Sequence, residues 1–237
     1  MCKVSSLFLR ARVFLGLASV ISTVCYAVQE EPPGPAETPP PASNVQVMNA
    51  TSVEKVDFRV RGLRDYIGLV QGARISGGAF PITDWNLEVS PTGATDQKSL
   101  ITAGLKLKPG ASSTFVLVGD FLLIKGQDGK EKLRAALIDI SNDFSSEERP
   151  NRLVVVNGCP DQEITVSIDG QPTKTIAPLI AGYWTSLPVG IDATAKVGAK
   201  SIPLPIEFIA PVQSAVVAFY MRGSEPDFVV MPQGSLR

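Results

Sequence analysis

The chain contains no histidine, and that count governs every reading of its chemistry. Without imidazole there is no Ser-His-Asp or Cys-His nucleophile, no His-ligated zinc and no side chain that titrates unperturbed near neutral pH. Carboxylates, lysines, tyrosines and Cys159 remain. Glu30-Glu31 and Glu147-Glu148 are paired acids, but both lie in linker-like stretches that offer no rigid frame for acid–base work. Cys159 precedes Pro160-Asp161 with no basic neighbour in sequence to lower its pKa, so it reads as a turn cysteine. Asp128 has no companion acids at calcium-ligand spacing and is better explained by a turn with Gly129. Ser76-Gly77-Gly78 lacks the G-x-S-x-G context of a nucleophile elbow. The glycines build no phosphate-binding loop ahead of a helix. Asn49-Ala50-Thr51 fits a glycosylation sequon, yet Asn49 holds a turn position and reads as structural. The expectation is therefore binding without turnover, with no catalytic residue, no metal and no cofactor. A net charge of −1 with no basic cluster in the body of the chain argues against nucleic acid as a partner.

One residue is a candidate for partner contact. In Gly182–Leu187, strand alternation places Tyr183, Thr185 and Leu187 on one face and Trp184 with Ser186 on the other. With Tyr183 and Leu187 taken as core, Trp184 points outward and offers a flat apolar face to a sugar ring or a protein. The opposing reading buries Trp184 at the junction between the two halves of the chain, since tryptophan is highly buried on average.

The elements that would position these residues come from a tandem repeat. Leu153–Gly170 reads as two short strands around a turn: a β-branched run, then Asn157-Gly158, then Ile164, Val166 and Ile168 alternating with polar residues. Val45, Val47, Asn49, Val56, Phe58, Val60 and Gly62 repeat that pattern 108 positions earlier, as Asn49 and Asn157 illustrate. Further on, Phe115–Val118 matches Val216–Phe219, and Asp120–Leu123 matches Asp227–Val230. The drop in offset implies an insertion between Val89 and Phe115. Short strands separated by turns, with no long amphipathic helix, predict an all-β chain. Its expected form is two tandem antiparallel immunoglobulin-like β-sandwiches, over residues 44–143 and 151–237 with a linker at 144–150. The second repeat is expected to fold by itself.

Residues 1–27 read as an export signal. Lys3, Arg10 and Arg12 precede the apolar run Val13–Val24, and Cys25-Tyr26-Ala27 suits cleavage. The run is shorter than the roughly 20 residues a spanning helix needs. A lipoprotein anchor at Cys25 is disfavoured, because Thr23-Val24 lacks the usual small residues. Loss of the signal leaves 19 basic and 23 acidic residues, net −4. The predicted compartment is periplasmic or extracellular. Residues 28–43 are proline-rich and acidic, an extended tether able to span about 50 Å.

The two openings, V-Q-V-M-N-A and V-V-V-N-G, together with the ending V-V-A-F-Y-M-R-G-S-E-P-D-F-V-V, resemble the alginate O-acetylation protein F family. The stretch G-Y-W-T-S-L-P-V-G-I-D-A-T-A-K-V is also similar to the core of a family of small extracellular domains, with Asp192 replacing the usual aromatic. The resemblance implies a non-catalytic envelope protein that binds an envelope protein or polysaccharide, as an accessory factor in exopolysaccharide O-acetylation. The alternative is a structural or adhesive envelope protein that uses its sandwiches as spacers.

Overall fold

The computed structural model describes residues 42–61, 64–81, 84–95, 100–106, 112–126, 128–140, 151–206 and 214–233. The signal, nearly all of the tether and the inter-repeat linker lie outside the described residues. Regular structure among the described residues is entirely β-strand. The first repeat contributes β1 (Ala42–Thr51), β2 (Lys55–Val60), β3 (Arg64–Val70), β4 (Arg74–Pro81), β5 (Asp84–Pro91), β6 (Ile101–Lys106), β7 (Ser112–Lys125) and β8 (Glu131–Asp139). The second contributes β9 (Arg152–Asn157), β10 (Ile164–Ile168), β11 (Lys174–Ile176), β12 (Ala181–Trp184), β13 (Ala193–Val197), β14 (Lys200–Pro203), β15 (Ser214–Arg222) and β16 (Glu225–Gln233).

Each repeat forms two four-stranded sheets. Their orders are β4-β1-β7-β8 with β3-β2-β5-β6, and β12-β9-β15-β16 with β11-β10-β13-β14. Raising each label of the first repeat by eight reproduces the second, so the repeat seen in the residues is a repeat of topology. The expected pair of tandem sandwiches is present. Pairing is antiparallel apart from β1 with β7 and β9 with β15, which run parallel in the middle of their sheets.

Three apolar cores hold the layers together. Val47, Phe58, Leu87, Val89 and Leu117 fill the first sandwich, and Leu153, Val155, Val166, Ala195 and Val217 the second. A third core lies between the two inner sheets and contains Met48, Val116, Val154, Val156, Val216 and Tyr220. The result is a four-layer stack, and residues from Pro40 onward form one compact unit. Sheets pack about 10 Å apart, so three spacings separate the two outer sheets by about 30 Å. Strand β9 is buried at every position because it has a core on either side. That is why it reads as an unbroken Val run and not as an alternation.

Three sequence readings are corrected by this arrangement. Strands β9 and β10 do not pair with each other; one lies in the inner sheet and the other in the outer sheet. Neither Asn157 nor Gly158 takes a positive φ, so the dipeptide crosses between layers and makes no hairpin. The match of Phe115 with Val216 is one residue out. Phe115 lies opposite Val47 and Val217 opposite the equivalent Val155, so the true partner of Phe115 is Val217. A slip of one exchanges faces: Phe115 fills the first sandwich, whereas Val216 belongs to the inter-repeat core. With both faces buried, the letters carry no parity. Finally, Asp120–Leu123 continue β7 across a bulge, while Asp227–Val230 sit in β16, whose counterpart is β8.

Candidate binding surfaces

The repeated asparagines are buried ties between layers. Asn49 is fully buried, and its Nδ2 donates to the Leu69 carbonyl at 2.9 Å. Its Oδ1 accepts from the Thr51 amide at 3.1 Å and the Thr51 hydroxyl at 2.7 Å. Asn157 does the same in the second repeat. Its Nδ2 donates to the Ile176 and Gln162 carbonyls at 3.0 and 2.8 Å, and its Oδ1 accepts from the Cys159 amide at 2.9 Å. Each side chain thus links the end of an inner strand to its outer sheet, satisfying polar groups that burial would otherwise leave unpaired. A glycan on Asn49 has no room, which supports the structural reading of the sequon.

Close backbone approach marks the junction between repeats. A Cβ on Gly158 would fall 2.3 Å from the Phe219 carbonyl oxygen and 2.4 Å from that of Ala50, so only glycine fits. Polar bonds frame the apolar centre. Gln71 Nε2 donates to the carbonyls of Thr51 and Met221, both at 2.8 Å. Arg134 joins Asp120 of its own repeat to Asp161 of the other, the latter at 2.6 Å. Tyr220 donates to Asp227 at 3.0 Å and accepts from Arg222 at 2.8 Å; burial raises its pKa.

Trp184 does not point outward. It is 3% exposed and packs in the core of the second sandwich, whereas Tyr183 is 39% exposed. The alternation assumed between Tyr183 and Leu187 is interrupted, because β12 ends at Trp184 and Ser186 adopts φ +60°. That reversal turns Leu187 onto the same side as Trp184, and both are buried in one core. Nor does Trp184 sit at the junction. It closes the edge of the second sandwich, where the Lys174 ammonium lies 4.8 Å from its ring centroid and donates to the Tyr183 carbonyl. Its indole N–H has no hydrogen-bond partner among the described residues.

The other chemical candidates fall into structural places. Cys159 is fully buried in the same core, and desolvation pushes its thiol up to about 11, away from the range of a nucleophile. Asp128 accepts from the Lys130 amide at 3.2 Å and pairs with Lys132, as a turn acid does. Ser76 lies within β4. Glu30-Glu31 and Glu147-Glu148 lie outside the described residues. Among the described residues, no three His, Cys, Asp or Glu side chains converge as a metal site, and no helix is long and apolar enough to cross a membrane.

What remains for recognition is the outer faces. On the first, Asp57 pairs with Arg59 at 2.9 Å and Glu88 with Arg61. The second has no acid on its strands. Thr165 meets Thr175 and Ser167 meets Thr173 across β10 and β11, hydroxyl to hydroxyl at 3.3 and 3.2 Å, with Thr194, Lys196 and Ser201 in the neighbouring strands. The alternation of β10 and β13 marked these positions as outward. The focus on aromatic residues passed them over. A third exposed region is Leu122, Leu123 and Ile124, 40–56% exposed on the part of β7 that extends beyond its bulge.

No family model matches the chain, and no curated protein does. Among solved structures, a candidate cell adhesion protein from Bacteroides uniformis aligns over 81% of this chain and 96% of its own, at 9% identity and a TM-score of 0.26. That overlap is too slight to transfer fold or function.

Proposed function

We propose that this chain is an exported, non-enzymatic cell-envelope protein that works by binding and spacing. Its partner is an envelope protein or polysaccharide. The observation that carries this reading is the third core. It makes two sandwiches into one body whose outer sheets face opposite ways at a fixed separation, suited to holding two things apart or together. The export reading is supported by the cationic start and apolar run of residues 1–27. The deep burial of Cys159 also favours a chain without a nucleophile.

The structural or adhesive role comes first. The V-x-V-x-N openings shared with the acetylation family are explained by the sheet-tying asparagines, so they argue for a common fold more than a common task. An accessory role in exopolysaccharide O-acetylation is the narrower proposal. Deleting the gene tests both. Reduced surface attachment with unchanged polysaccharide acetylation supports the first role, and lowered acetyl content supports the second. Turnover by the purified protein, abolished by substituting one Asp or Glu, would overturn the non-enzymatic reading.

A further inference from the structure

Every sheet in this fold has two edges, and an uncovered edge is a template for another strand unless something blunts it. Seven of the eight edge strands are blunted. Strands β6, β11, β12 and β14 have six residues or fewer. Strands β3 and β4 carry register shifts in their ladders. Strand β16 contains Pro226 and Pro232. Strand β8 is the exception, with nine residues, no proline and no glycine. Its topological counterpart is β16, so the two repeats differ at the same place.

The outward backbone groups of β8 can be identified. Ile140 N–H donates to the Thr114 carbonyl and the Lys130 carbonyl accepts from Gly126, so even-numbered residues turn their polar groups toward β7. Backbone groups alternate along a strand. Those of Leu133, Ala135 and Leu137 therefore face away from the sheet, and no described strand pairs with them. On one face Leu133, Ala135 and Leu137 are half-buried against the first sandwich core; on the other, Ala136 and Ile138 are half-buried against the inter-repeat core. Both cores stop at β8 incompletely covered.

We propose that β8 is a self-docking edge, on which a second copy of this chain lays its own β8 antiparallel about a two-fold axis at Ala135. The occupant follows from continuity and shape. A two-fold there sets Leu133 opposite Leu137 of the second copy and Ala135 opposite itself. Three residue pairs exchange up to six main-chain hydrogen bonds, and the small Ala135 and Ala136 leave the axis clear. Both cores then run on into the second copy, joining two four-stranded inner sheets into one of eight. The single like-charge apposition, Glu131 against Asp139, falls at the exposed ends. This goes beyond the binding role proposed above and does not depend on it.

The test is sedimentation of the purified chain over a concentration series, with hydrogen exchange of the same samples. Association into dimers is expected. The Ala135 and Leu137 amides should gain protection as concentration rises and lose it on dilution. Ala135→Pro removes an outward donor and leaves the β7 ladder intact, so it should weaken association by at least about tenfold. A chain that stays monomeric at millimolar concentration overturns the proposal. So does a folded Ala135→Pro variant that still dimerises normally. Amides protected equally at every dilution would likewise overturn it, because the edge would then be covered within one chain. If Ala135→Pro fails to fold, the exchange of the unsubstituted chain decides alone.

Discussion

The two repeats share a strand order, a buried asparagine and a common inner wall, and they differ in what they present to solvent. The first outer sheet carries acids and arginines locked in pairs, while the second carries hydroxyls around Lys196. The first repeat extends its last hairpin past a bulge, through Leu122 to Ile124. The second closes the same hairpin at Gly223-Ser224, between Arg222 and Glu225. The last edge is bare in one repeat and proline-bearing in the other. Positions that close the layers are held by geometry, whereas outward positions are free to diverge. Recognition is therefore to be sought where the repeats disagree.

The largest expected effect separates core from surface within the second repeat. Trp184→Ala should lose about 3–5 kcal/mol in denaturant unfolding, as large-to-small core changes do. Tyr183→Ala next door should stay within about 0.5 kcal/mol. Equal losses would mean that the reversal at Ser186 does not set the two residues apart.

Next come the asparagines, where the repeats should behave alike. Asn49→Ala and Asn157→Ala each strand buried carbonyls and amides, for a loss of about 3 kcal/mol apiece. Because the third core joins the sandwiches, each variant should still unfold in one transition. Two separated transitions in calorimetry would show the repeats to be independent.

At the junction the repeats should behave differently. Ala50 occupies the place of Gly158, so Gly158→Ala is chemically the smaller repeat taking the residue of the other. It should nonetheless cost about 1–3 kcal/mol, because the added carbon meets two carbonyl oxygens. A neutral result by thermal melting would mean that the junction has slack.

The smallest effect depends on pH. Cys159 corresponds to Thr51 in the first repeat. Its thiol is raised from 9.0 to about 11 in the folded chain, so the folded state holds the proton more tightly than the unfolded state. Stability should be full below pH 9 and fall as the pH rises towards 11, by about 2 kcal/mol in all. Cys159→Thr should remove that alkaline decline while leaving the rest of the pH profile in place. A decline that persists in the variant would assign it to another group.

The strands, the repeat and the core were legible wherever one face of a strand is wet. Ile164, Val166 and Ile168 alternate with polar residues and occupy the places their alternation indicates. Legibility failed where both faces are buried. The runs around Val116 and Val217 are apolar throughout, so a one-residue slip left no trace in the letters. It failed again at Trp184, where a strand ends one residue too early for alternation to be continued through Ser186. The asparagines were recognised as structural, but their work as ties needs a partner carbonyl some 20 residues away, as Leu69 is to Asn49. The bare edge of β8 appears only when all eight edges can be compared.

The parallel pairing at the centre of each inner sheet fixes the order in which the chain can assemble. Val47 meets Phe115 and Leu153 meets Ala215, each across more than 60 positions of sequence. No local turn can bring such strands together, and closing loops of that length slows folding. Each inner sheet must wait for the seventh strand of its repeat before its first strand gains a second neighbour. A chain emerging from its N-terminus therefore carries β1 with an open side until β7 arrives, and the wall between repeats cannot form until β15 follows. The body completes itself from its last strands inward, so a truncation that removes β15 and β16 should be felt in the first repeat as well as the second.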